Sequence, residues 1–182
     1  MRIIAGAWRG RALTAPVGGV TRPTAERMRQ ALFDMLMHAP WAGSGIAGQN
    51  VLDAFAGTGA LGLEALSRGA ASAVFIERDR AALEAMRANV AALRAESVAR
   101  VVAGDVLRPP PGAPCALVFL DPPYGQNLLS KAIAALGQAG WLAPAALLVA
   151  ECGRDEALAL PGEQLAERVH GAARTTVWRM PA

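Results

Sequence analysis

Asp121, Pro122 and Tyr124 stand in one short run, "LVFLDPPYG" over residues 117–125, where an apolar strand ends on an acid, two prolines and an aromatic ring. These residue types suit one kind of chemistry. An exocyclic amine on a nucleobase is a poor nucleophile, because its lone pair is spread into the ring. Two hydrogen-bond acceptors gripping its N–H groups favour tetrahedral geometry at nitrogen and the charge that develops there. The Asp121 carboxylate and the Pro122 carbonyl can be those acceptors, and prolines stiffen the backbone that aims them. Tyr124 offers a flat face on which an extruded base stacks. The bland alternative, a proline-terminated strand with a chance aromatic, is disfavoured by the loop upstream.

That loop, "VLDAFAGTGALG", holds a G-x-G-x-x-G at Gly57, Gly59 and Gly62, after a strand and opening a helix. Its glycines let backbone N–H groups approach a ligand at a helix N-terminus. Read alone it is a dinucleotide fingerprint, with Glu77 twenty residues beyond Gly57 to hold a ribose. Asp53 argues otherwise, since a carboxylate beside the loop repels a diphosphate. A ligand with an ammonium group and no phosphate benefits from it, which points to S-adenosylmethionine. Glu77 can accept both ribose hydroxyls. Asp79 is the fallback for that role but reads as the N-cap of the next helix. Asp105 can accept from the adenine amine, or simply cap its own loop. Asp53, Glu77, Asp105 and Asp121 each end a strand, and so would line the carboxyl edge of one sheet, where open α/β sheets bind ligands.

The elements that must position them follow from the pattern. Residues 1–20 suggest a hairpin or extended arm. Thr24 is placed to cap a helix from about Ala25, with Met28, Leu32, Met35 and Leu36 on its apolar face. After a glycine-rich linker, strands from residue 50 alternate with single helices, which predicts a parallel sheet with right-handed crossovers. "RPPPGAP", residues 108–114, reads as a loop where a helix is short or missing, and two further strands joined at "HGAAR" would add an antiparallel edge. The chain divides into a basic arm and helix over 1–40 and a ligand-binding domain over 41–182.

At 182 residues with 53% hydrophobic and 18% charged side chains, the chain can bury a substantial core. Residues 1–40 carry six arginines against Glu26 and Asp34, whereas the rest is near neutral. A solvated face and a phosphate-contacting surface fit that block equally well from charge alone. Cys115 and Cys152 lie far apart without nearby histidines and read as core thiols, so no metal site is expected. No signal peptide or spanning segment is visible, which makes a cytoplasmic protein the expectation.

"RIIAGAWRGRAL", "TRPTAERMRQALFDML", "VLDAFAGTGALGLEALSRGA" and "LVFLDPPYG", in this order and spacing, resemble the RsmD family of 16S ribosomal RNA guanine-N2 methyltransferases. The resemblance implies a Rossmann-like class I methyltransferase. Its fold would be a mostly parallel seven-stranded sheet with an antiparallel C-terminal hairpin strand, helices on both faces and a small N-terminal extension. It implies S-adenosylmethionine as methyl donor and one guanine amine of 16S ribosomal RNA as acceptor, within the small subunit or its precursor, with the protein acting as a monomer. Asp121, Pro122 and Tyr124 would hold the guanine, and Asp53, Gly57, Gly59, Glu77 and Asp105 the cofactor. Arg22 and Thr24 would lie near the entrance, with Arg9, Arg11 and Arg27 on RNA. The rivals are a DNA adenine-N6 or cytosine-N4 methyltransferase, an NAD-dependent oxidoreductase, and a non-catalytic RNA-binding assembly factor on the same fold.

Overall fold

The computed structural model describes residues 1–15, 23–43, 45–123, 128–156 and 158–182, with side chains in the first helix from Glu26 onward. Arg22 and Tyr124 therefore lie outside the described residues, as does the side chain of Thr24.

Seven strands form one sheet: β1 (Asn50–Ala54), β2 (Ser72–Glu77), β3 (Ala99–Ala103), β4 (Cys115–Leu120), β5 (Leu142–Gly153), β6 (Glu163–His170) and β7 (Ala173–Arg179). Their spatial order is β3-β2-β1-β4-β5-β7-β6. β7 runs antiparallel to both strands beside it, β5 and β6, and the other pairings are parallel. The central strands are short apolar runs because helices cover both faces. On one face Val51, Phe75, Leu117, Phe119 and Val149 pack against α1 (Pro23–His38), α2 (Ala60–Ser67) and α3 (Arg80–Leu93). On the other, Leu52, Ile76, Val118, Leu120 and Leu148 pack against α4 (Leu128–Gln138).

No helix crosses between β3 and β4. The proline-rich loop takes that place, and it is pinned to a buried tryptophan: Trp141 Nε1 donates to the Pro110 carbonyl at 2.8 Å. Gly112 lies so close to the Trp141 ring that a Cβ there would collide with it. The sequence pattern misplaces two boundaries. β5 starts at Leu142 rather than near Ala145, with a register shift opposite Cys115 to Leu117 that absorbs Pro144. Helix α1 begins at Pro23, so Thr24 sits inside the first turn instead of capping it. Proline suits that first position, where no intrahelical N–H bond is lost. The buried face of α1 centres on Arg29, Phe33 and Leu36, with Met28, Leu32 and Met35 flanking it.

The N-terminal arm is a narrow hairpin closed by one bridge, Arg2 with Ala12. Ile3 and Leu13 carry it into the same apolar cluster as β1 and α2. Its attachment is polar. Glu64, fully buried on α2, accepts the N–H groups of Ile4 and Ala5 at 2.8 and 3.0 Å. Ser67 Oγ accepts the Trp8 N–H and donates to the Ala5 carbonyl. Gly6 (φ +81°) passes against the Ser67 carbonyl where no side chain would fit. Glu64 is compensated by Arg68 at 2.8 Å and by Arg29 at 3.9 Å. Nothing in the sequence pattern pointed to this clasp. Cys115 and Cys152 are buried free thiols, as expected. Among the described residues no helix is long and apolar enough to cross a membrane, and no cluster of three metal-ligating side chains occurs.

Candidate active site

Parallel register brings the strand ends together. Asp53 pairs with Phe75 and Phe119, and Ala54 with Ile76 and Leu120, so Glu77 and Asp121 flank the glycine loop at the carboxyl edge. The three glycines have different duties. Gly57 (φ +54°) and Gly59 (φ +78°) adopt left-handed backbone that other residues resist, and Gly57 borders open space. Gly62 is needed for packing, since a Cβ there would strike the Phe75 ring.

Gly59 opens α2 but has no side chain with which to cap it. Asp53 does so from β1: its Oδ2 accepts the Gly62 N–H at 2.8 Å. Only 2% of Asp53 is exposed. Burial pushes its carboxyl up to about 8, with Asp121 and Glu77 adding to the rise and the Gly62 bond opposing it. Asp53 therefore supports the loop from beneath and touches the ligand space only at its margin.

Glu77 is bound into the loop as well. Its Oε2 accepts the Gly57 N–H at 2.8 Å, and its Oε1 accepts those of Arg78 and Asp79 at 2.7 and 2.8 Å. Asp79 is the N-cap of α3, accepting from Ala82, as its position suggested. Asp105 accepts the Leu107 N–H at 2.9 Å and lies 3.9 and 3.8 Å from Arg78 and Arg108. It serves its own loop while still lining the cavity.

Two cavities meet at this edge. The first, about 680 Å³, is lined by Glu77, Asp79, Asp105, Val106, Asp121 and Pro122 among others. The second, about 380 Å³, lies under α1 and is lined by Arg29, Asp53, Gly57, Asp121, Glu151 and Thr175 among others. Phe55 and Asp121 border both. Phe55 holds φ +61°, strained for an aromatic residue, and such strain concentrates at functional sites. Asp121 is exposed where it opens onto both cavities, yet protein packed around its carboxyl lowers the polarity there. That desolvation, with the negative Glu151 beside it, pushes its carboxyl up to about 7. A cationic ligand placed beside a carboxylate raised in this way favours its ionised form.

Asp53, Gly57, Glu77, Asp105, Asp121 and Pro122 are thus brought to one edge. Gly59 lies between Gly57 and α2, and a Cβ on it would press on Phe75 and Met86. The arm arginines are elsewhere: Arg9 and Arg27 line a separate cleft of about 310 Å³ with Arg2 and Gln30, and Arg11 lies on the same arm outside it. Sequence reasoning missed Phe55, Arg29, Glu151 and Thr175. Glu151 had a usable signal, as a fifth acid ending an apolar strand.

The family model described as "Conserved hypothetical protein 95" matches residues 1–179. Ribosomal RNA small subunit methyltransferase D of Escherichia coli K12 is 44% identical over 153 residues, covering 83% of this chain and 74% of the relative. The protein of the same name from Haemophilus influenzae is 39% identical over 166 residues, covering 88% and 83%. Among solved structures, the Escherichia coli methyltransferase yhhF superposes with a TM-score of 0.85 at 40% identity, covering 100% of this chain and 98% of that one. An RNA methyltransferase from Salinibacter ruber, solved with S-adenosyl-L-homocysteine, shares the fold with a TM-score of 0.62 at 17% identity, covering 90% and 94%. By these matches the chain belongs to the ribosomal RNA small subunit methyltransferase D family.

Proposed function

We propose that this protein methylates the exocyclic N2 amine of a guanine in 16S ribosomal RNA, as a monomer acting on the small subunit or its precursor. S-adenosylmethionine supplies an electrophilic methyl on a sulfonium and leaves as S-adenosylhomocysteine. The observation that carries the reading is the convergence of Asp53, Glu77, Asp121 and Glu151 on two joined cavities, where desolvation and the neighbouring acids raise Asp53 and Asp121. Acids outnumber Arg29 and Arg78 in the lining, which disfavours a diphosphate cofactor and favours a sulfonium with an ammonium group.

The first cavity suits the adenosine half, with Glu77 toward the ribose hydroxyls and Asp105 toward the adenine amine. Gly57 lets the loop backbone approach the aminoacyl end, above Asp53. Asp121 and the Pro122 carbonyl grip the two amine hydrogens and turn the nitrogen lone pair toward the methyl. The buried Pro122 fixes that carbonyl. As the N–C bond forms and the C–S bond breaks, the nitrogen becomes cationic, and its proton passes to Asp121 or to water. Tyr124 is assigned the face of the base, and Arg22 and Thr24 the entrance. Residues 1–40, with Arg9, Arg11 and Arg27, form the RNA side, and residues 41–182 the catalytic side. Most of the acceleration comes from positioning and pre-aimed acceptors.

Methyl transfer from radiolabelled S-adenosylmethionine to 30S subunits, free 16S RNA and duplex DNA is the test. Label is expected on the ribosomal substrates, recovered as N2-methylguanosine after digestion and lost in Asp121→Ala. Label on DNA, or on another position of the base, would refute the reading.

A further inference from the structure

Beyond Asp121 the sheet edge carries side chains that the amine-gripping motif does not use. Leu120, the last residue of β4, pairs with Ala150 of β5, so Glu151, still within β5, lies level with Asp121 just past the end of β4. Thr175 of β7 pairs with Glu151 in turn. All three residues line the second cavity. Across three neighbouring strands the edge therefore reads carboxylate, carboxylate, hydroxyl.

One nucleobase matches that order. Along its Watson–Crick edge guanine presents the N2 amine, then N1–H, then the O6 carbonyl: donor, donor, acceptor. Adenine offers its N6 amine beside a bare N1, and cytosine its N4 amine beside a bare N3. A second carboxylate next to Asp121 would face a lone pair in either case, and unmatched polar pairs in a site built for hydrogen bonding are strongly rejected. Neighbouring strands stand about 4.8 Å apart, close enough for convergent side chains to reach adjacent atoms of one ring.

We infer that Glu151 and Thr175 select guanine: Glu151 accepts N1–H while Asp121 holds the N2 amine, and the Thr175 hydroxyl donates to O6. The inference rests on the amine-methylation reading given above. It also accounts for placing two like charges together, since the N1–H and N2–H donors arrive between them. The part that Glu151 plays in raising Asp121 is consistent with that closeness.

The test replaces the target guanosine with 2-aminopurine, in whichever ribosomal substrate the wild-type protein methylates. That base keeps the 2-amine but has a bare N1 and no O6. Wild type should prefer guanine by about 10- to 100-fold in kcat/KM. Glu151→Gln, whose amide can donate to a bare N1, should narrow this ratio about tenfold or more, and comparing ratios cancels the intrinsic reactivities. Thr175→Val is a second handle. It should cost guanine about three- to tenfold and leave 2-aminopurine unchanged. S-adenosylhomocysteine affinity should stay within a few-fold in both.

An unchanged ratio in Glu151→Gln together with unselective loss in Thr175→Val would overturn the inference. So would a large loss of S-adenosylhomocysteine affinity in Glu151→Gln, which would put that carboxylate on the cofactor's ammonium group. Those failures leave guanine methylation by the wild type intact. Absence of any wild-type methylation would instead bring down the parent reading, and this inference with it.

Discussion

Asp121 should carry a pH signature. Its acceptor role needs the ionised form, and its carboxyl sits near about 7 in the free protein. Activity as kcat/KM should therefore rise with pH up to about 7 and level off above it. A bound cation lowers the carboxyl, so the limb in kcat should lie at lower pH. Asp121→Asn should cost about 10²- to 10³-fold in turnover and abolish the limb. A flat profile from about pH 5.5 to about pH 8 would exclude Asp121 as the titrating group. Asp53 tests the same electrostatics through stability. Its folded carboxyl, near about 8, lies above its ordinary 3.8, so the folded state binds more protons between those values. The protein should lose stability as pH rises through that window. Asp53→Asn should raise the ligand-free Tm at about pH 8, with the gain vanishing near about pH 4, in thermal melts across pH. Asp121 was legible in the sequence because its partners, Pro122 and Tyr124, are its chain neighbours. Glu151 and Thr175 were not, because their place beside it is set by strand register.

The strand–helix alternation was legible because turn residues punctuate apolar runs of the right lengths. What the pattern could not show is how an element is used once packed. Helix α2 reads as a plain helix after a glycine loop, and its Glu64 looks like a surface acid. The N-terminal arm, sixty residues earlier, folds over it and makes it a buried charge. Removing one partner of such a pair is costly. Glu64→Ala should destabilise the protein by about 3–5 kcal/mol in denaturant melts, and Glu64→Gln by less. Amide exchange at Ile4, Ala5 and Trp8 should accelerate in Glu64→Ala more than exchange in the central strands. Equal acceleration everywhere would mean that the clasp is not a local fastening. Element boundaries failed where proline carries two meanings: Pro23 begins α1, and Pro144 lies inside β5 at the register shift.

Helix α1 divides the molecule into two working sides. Met28, Arg29 and Leu32 border the second cavity, while Glu26, Arg27 and Gln30 border the cleft that holds Arg2 and Arg9. The arginine block read from composition as either solvated or RNA-binding; three of its six arginines, Arg2, Arg9 and Arg27, border one cleft beside Glu26, and a salt titration separates the two readings. Arg9→Ala with Arg27→Ala should flatten the dependence of log affinity for 16S RNA on log salt by about 0.7–0.9 for each arginine removed. An unchanged slope would mean that neither neutralises a phosphate.

The clasp also sets an order of events during synthesis. Ile4 and Ala5 bond to Glu64, and Thr14 is held from both sides by Asn89 on α3. These arm residues thus wait for partners sixty and seventy-five positions behind them. At about 5–20 residues per second, that is a delay of several seconds to about 15 s. Until α2 has emerged, the arginine-rich arm of the nascent chain lacks the clasp, and until α3 has emerged Thr14 lacks Asn89. The surface proposed to meet RNA is completed only after the proposed catalytic edge has begun to form.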